Sequence, residues 1–104
     1  MKVWSVVVAT DGSPSALRAA QWVDQHFDPD SAKVTVVTVE HPVIPLLLEP
    51  APAEAFEDTI RNAMHEARRQ ADEALEKTAK RLERFGPATV RLQGPPVEAL
   101  VHYL

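Results

Sequence analysis

Hydrophobic residues along this chain alternate between short β-branched runs and stretches in which apolar positions recur every three or four residues. The first run, Val6-Val7-Val8-Ala9, is unbroken, which predicts a strand covered on both faces, as in parallel sheets. From Pro14 to about Phe27, Leu17, Ala20, Val23 and Phe27 share one helical face, and Asp28-Pro29-Asp30 stops the helix. Lys33 to Glu40 sets Val34, Val36, Val37 and Val39 among threonines, predicting a second strand. His41 to Pro52 carries prolines at 42, 45, 50 and 52 and reads as a loop.

From Ala53 to Phe85 the positions Phe56, Ile60, Met64, Ala67, Ala71, Leu75, Ala79, Leu82 and Phe85 step by three or four, predicting one long amphipathic helix. Its polar face offers Glu57 with Arg61, Glu73 with Lys77 and Glu76 with Lys80 as pairs four residues apart, each worth about 0.2 to 0.5 kcal/mol. Gly86-Pro87 follows in the order expected past a helix end. Ala88 to Gln93 predicts a third strand, and Gly94-Pro95-Pro96 leads into a helix beginning near Val97, within which the chain ends at Leu104. The order β-α-β-α-β-α with right-handed crossovers implies a parallel sheet flanked by helices.

With 104 residues the chain supplies one small domain with a single core. A net charge of −4 argues against a nucleic-acid footprint, which needs a basic face. There is no cysteine, hence no disulfide framework and no thiolate chemistry, which suits the cytoplasm. The apolar run from Val3 is cut by Asp11 and is too short for a signal or membrane segment. The expectation is an intracellular, soluble protein with neither membrane nor nucleic acid as partner.

Candidate chemistry gathers where the first strand meets the first helix. Ser13 can accept hydrogen bonds as N-cap, Pro14 suits the first helical position, and Gly12 lets the turn tighten. Asp11 is thereby placed at the carboxyl end of a strand beside helix-start amides, where open α/β sheets bind nucleotides. Asp-Gly is also common turn chemistry, so the alternative reading of Asp11 is as a turn residue. The histidines at 26, 41, 65 and 102 lack metal-ligand spacing, and no Ser-His-Asp or Cys-His arrangement is readable. No catalytic and no metal-binding residue is therefore expected. Leu46-Leu47-Leu48 reads either as a lid or partner patch or as a cover for the long helix, and Trp4 and Trp22 as core or subunit contacts.

These segments resemble the universal stress protein family, a Rossmann-like branch of adenine-nucleotide-binding α/β proteins (adenine nucleotide alpha hydrolase-like). The likeness is carried by the first strand with Asp11-Gly12-Ser13, the valine-rich strand ending Val39-Glu40-His41, and the third strand followed by Gly94-Pro95. It implies a cofactor such as ATP or another adenine nucleotide, with Thr10 and Asp11 toward the ribose, main chain at Val39 toward the adenine, and Gly94 at a further binding turn. ATP-binding members hold the triphosphate with a later G-x-x-G motif followed by G-[S/T], and here the glycines are Gly12, Gly86 and Gly94 alone. The expected site is thus incomplete, and any nucleotide binding weak or absent.

The family sheet runs 3-2-1-4-5, so the resemblance covers about the first two-thirds of a family domain. It implies a single domain over residues 1–104, incomplete at its C-terminal end and lacking the last two strands. The first strand becomes an edge, an open pairing template, and a homodimer through that edge is expected, with an unidentified protein partner besides. The resemblance gives a stress-response module. Its rivals are a dimeric interaction module that needs no nucleotide, and an enzyme of the wider superfamily, whose H-x-G-H and S-G-G-x-D-S signatures do not occur here.

Overall fold

The computed structural model describes residues 3–42 and 53–104, so Leu46 to Leu48 lie outside the described residues. The elements in order are β1 (Trp4–Ala9), α1 (Pro14–His26), β2 (Ala32–Glu40), α2 (Ala53–Arg81), a 3-10 turn (Glu83–Phe85), β3 (Ala88–Gln93) and α3 (Pro96–Tyr103). Among the described residues the strands form one parallel sheet with β2 in the centre. Val6 lies opposite Val34 and Val8 opposite Val36, while Val37 lies opposite Val90 and Val39 opposite Leu92.

Because strand side chains alternate, this register sorts the valines onto two faces. Val8, Val34 and Val36 meet Ala20 and Val23 of α1 and Leu82 beyond α2, with Phe27, Leu75 and Phe85 packed around them. Right-handed crossovers put α1 and α2 on that same face. On the opposite face α3 leans on β2 and β3, and Val37 is fully buried there.

The first strand departs from its expected double cover. Val8 is 5% exposed but Val7 is 39% exposed, because α3 lies over its neighbours β2 and β3 and leaves the second face of β1 open. Trp4 and Trp22 are likewise not core residues, each being 53% exposed. They frame Phe27 in edge-on contacts with ring centres 6.4 and 6.2 Å apart, and Trp22 stacks on His26 at 4.2 Å.

Helix α2 has 29 residues and so runs about 43 Å, longer than the strands it crosses. Its buried positions are Ala67, Ala71, Ala74 and Thr78, whereas Phe56 and Met64 are exposed. The apolar stripe read from Phe56 onward therefore meets the sheet only from Ala67. The polar face also pairs differently from expectation: Arg61 turns to Asp58 at 3.3 Å, and Arg69 bridges Glu66 and Glu73. The predicted helix to Phe85 divides after Arg81, where the last turn tightens to 3-10 geometry before Gly86 in left-handed conformation (φ 56°). Arg84 there donates to Asp24 Oδ1 at 2.7 Å and to the carbonyls of Asp24 and Phe27, tying the end of α1 to the end of α2.

Candidate functional site

The turn from β1 to α1 is assembled by short-range polar contacts and then clamped from α2. Ser13 is the N-cap of α1, accepting from the Ala16 N–H at 3.3 Å, with Pro14 in the first turn. Gly12 has φ +78°, and a Cβ on it would stand 3.2 Å from Cβ of Ala74; this turn requires glycine both for its dihedral and for its close approach to α2. Thr10 is buried, its N–H donating to the Val37 carbonyl at 2.8 Å and its hydroxyl accepting from the Gly12 N–H at 3.0 Å. Thr78 donates to that hydroxyl at 2.7 Å, and Thr38 donates to the Thr10 carbonyl at 2.7 Å. The polar groups of Thr10 are thus committed to holding the turn.

Asp11 is left facing solvent above this clamp. Its Oδ1 accepts from the Ser13 N–H at 2.9 Å. Hydrogen bonding from Ser13, the hydroxyl first and the backbone N–H second, holds the carboxyl below the ordinary aspartate range, with burial opposing only slightly. The group is an ionised acceptor at neutral pH. The turn and ligand readings are compatible, because the carboxylate closes the turn through Ser13 and is still exposed at the cleft.

Around Asp11 the carboxyl ends of β1 and β2 form a cleft. Toward α3, Thr10, Asp11, Val37 and Val39 with Pro96 and Leu100 bound a cavity of about 260 Å³. Toward α2, Asp11 and Val39 also bound a second hollow of about 110 Å³ with Thr38, His41 and Gln70. His41 and Gln70 then border a third, of about 350 Å³, with Thr59, Asn62 and Glu66. Shared walls make the three one trough across the end of the sheet. Its floor at α2 is low because Ala67 and Ala71 carry no side chain beyond Cβ.

Residues 5–104 match the model of the universal stress protein family. The chain belongs to the universal stress protein family. A solved relative described as a universal stress protein in complex with cAMP has a TM-score of 0.60 and 27% sequence identity, and the match covers 99% of this chain and 69% of that one. Among curated proteins there is no significant match. The sheet and its flanking helices are accordingly the Rossmann-like arrangement of the family.

Of the positions singled out through the family resemblance, Thr10, Asp11 and Val39 come together in the α3-side cavity. Gly94 does not border it; it sits before α3 with φ +117° and nothing within 4 Å of where a Cβ would be. Pro96, two residues on, is the member of that turn which reaches the cavity. His41 is exposed yet borders both α2-side hollows.

Sequence reasoning passed over Gln70, Thr78 and Leu100. Thr78 could have been found, since it is a β-branched polar residue inside the helical stripe that packs on the sheet. Glu40 was also missed as an electrostatic centre. Its side chain is 7% exposed between Arg91 at 3.4 Å and Arg68 at 3.9 Å, and Arg91 reaches on to Asp72 at 2.7 Å. This cluster fastens the end of β2, between Val39 and His41, to both β3 and α2. Among the described residues no three His, Cys, Asp or Glu side chains gather as a metal site, and no helix is long and apolar enough to cross a membrane.

Proposed function

We propose that this chain is a cytoplasmic stress-response module that binds the adenosine part of a small nucleotide at the end of β1 and β2, and that it acts by binding and not by catalysis. The observation that carries this reading is the meeting of Asp11, Thr10 and Val39 around one cavity of about 260 Å³, just below the roughly 300 to 1,000 Å³ usual for drug-sized ligands. Such a space suits a nucleoside better than a nucleoside triphosphate. The solved relative in complex with cAMP supports a ligand with little phosphate. Asp11, ionised and tied to Ser13, is suited to accepting ribose hydroxyls and poorly suited to giving a proton.

Under this reading no triphosphate cradle accompanies the cavity among the described residues. Losing about three or four charge-assisted phosphate contacts, each worth about 1.5 to 3 kcal/mol, exceeds the about 4 kcal/mol between micromolar and millimolar affinity. ATP is therefore expected to bind with a Kd of roughly 1 mM or weaker. Isothermal titration checks this: weak binding of AMP and ATP that disappears in Asp11→Ala supports the reading, and ATP binding below about 10 μM overturns the incomplete site.

A second reading, a dimeric interaction module without nucleotide, draws on the other open surface. Val3, Trp4 and Val7 of the β1 region and Trp22 of α1 are exposed large hydrophobics, and no charged residue interrupts Trp4–Ala9 to guard the edge against pairing. We propose dimerisation through this edge under either reading. The two readings part at the titration, since only the first expects a nucleoside to bind.

A further inference from the structure

The trough around Asp11 has a charge pattern that bears on which members of the nucleotide class it takes. Among the described residues its charged walls are Asp11 at the centre and Glu66 on α2, and no described lysine or arginine borders any of its three hollows. Arg69 is the cation paired with Glu66, and it is shared between Glu66 and Glu73, so one positive charge answers two negative ones. Arg91 and Arg68 are turned to Glu40 and Asp72 instead. The first turn of α3, which reaches the trough, begins with Pro96, which has no N–H to offer. The other polar side chains bordering the trough include Thr10, Thr38, Thr59, Asn62, Gln70 and His41.

We infer that this trough selects its ligand by charge, taking adenosine or an adenosine with a neutral or cationic 5′ substituent ahead of 5′-phosphorylated forms. The inference rests on the nucleoside-binding reading above and specifies the ligand class of that same site. With Asp11 accepting the ribose hydroxyls, the 5′ position lies about one ribose away from Asp11. A phosphate there meets a carboxylate of like sign, with no lysine or arginine among the described lining residues to compensate, whereas a hydroxyl, thioether or ammonium meets hydrogen-bonding side chains. At about 6 Å and an effective dielectric between roughly 40 and 80, each like charge weakens binding about three- to tenfold. The further phosphates of ATP extend toward or beyond the Debye length of about 8 Å from Asp11 at physiological salt, so ATP binds about as weakly as AMP.

The test is titration of the full chain with adenosine, 5′-methylthioadenosine, AMP and ATP, at low and at physiological salt. Adenosine and 5′-methylthioadenosine are expected to bind at least about threefold more tightly than AMP. Added salt narrows that gap and leaves adenosine unchanged. Asp11→Asn keeps an acceptor for the Ser13 N–H while removing the charge, and it is expected to bring AMP to within about twofold of adenosine; Glu66→Gln narrows the gap by a smaller factor. If adenosine binds and AMP or ATP binds equally or more tightly, charge selection is overturned while the nucleoside site stands. If none of the four binds at millimolar concentration, the nucleoside site fails and charge selection fails with it.

Discussion

The Thr78 hydroxyl on α2 donates to the Thr10 hydroxyl at the end of β1 at 2.7 Å, joining residues 68 apart in the chain inside a buried environment. This contact fixes the distance between the candidate ligand turn and the helix that forms the other wall of the trough. The Thr10 hydroxyl also accepts from Gly12, and Gly12 touches Ala74 one turn before Thr78. Helix and turn are thus held at two adjacent points.

The two threonines should differ in cost. Thr78→Val removes one donor but leaves the Thr10 hydroxyl with Gly12, for a loss of about 1 kcal/mol. Thr10→Val strands both the Gly12 N–H and the Thr78 hydroxyl, for a loss of about 2 to 3 kcal/mol. Urea unfolding of both variants gives the order, and equal losses would show that Gly12 finds water instead.

Arg91→Met should be more damaging than either, by about 3 kcal/mol, because it leaves the buried Glu40 carboxylate with only Arg68 at 3.9 Å. Replacing both partners, Glu40→Gln with Arg91→Met, should recover most of that loss, since the charge needing compensation is gone. Denaturant titration of the single and double variants reads the difference. A double variant no better than Arg91→Met would locate the cost in lost packing of the arginine stem.

Acid should loosen the turn through Asp11. Its folded-state carboxyl lies below the ordinary value because Ser13 hydrogen-bonds the charged form. A depressed folded pKa contributes stability that is present above the unfolded value and is lost as pH falls through the folded one. NMR titration of the Asp11 carboxyl should therefore give a midpoint below the unperturbed aspartate value of about 3.9. Asp11→Asn should flatten that part of the stability profile, and a midpoint at or above the unperturbed value would sink the assignment.

At the open edge, sedimentation at micromolar concentration is expected to give a dimer, and Val7→Lys a monomer, because a charge beside an edge strand blocks pairing. Val7 is exposed, so the folded protomer should tolerate the lysine. A well-folded monomer of the unaltered chain would remove β1 as the dimer surface.

Local signals in the chain were strong enough to define most elements. The β-branched runs at Val6 to Ala9 and Val34 to Val39, the Ser13-Pro14 helix start and the Gly86-Pro87 stop each act through neighbouring residues. The structure places β2 at Ala32–Glu40, α1 at Pro14–His26 and β3 at Ala88–Gln93 accordingly. Hydrophobic periodicity also implied that Leu75 and Leu82 face the sheet, where they pack. The one long helix was legible for the same reason, though its final turn was not: after Arg81 it tightens to 3-10 geometry, where Arg84 is tied to the end of α1.

What the sequence by itself determined about this protein is therefore its elements, their parallel order, and the acidic turn with its capped helix, all of which follow from interactions among residues a few positions apart. Only the tertiary structure decided that α3 would cover β2 and β3 while β1 kept an open face, and that the α2 stripe would be buried only from Ala67. It also decided that Thr78 and Glu40 would become internal polar anchors and that Gln70 and Leu100 would join Asp11 in one trough. Those outcomes rest on where whole elements cross in space. A residue's chemistry does not reveal its partner 68 positions away; that pairing exists only once the crossovers have brought the turn and the helix together.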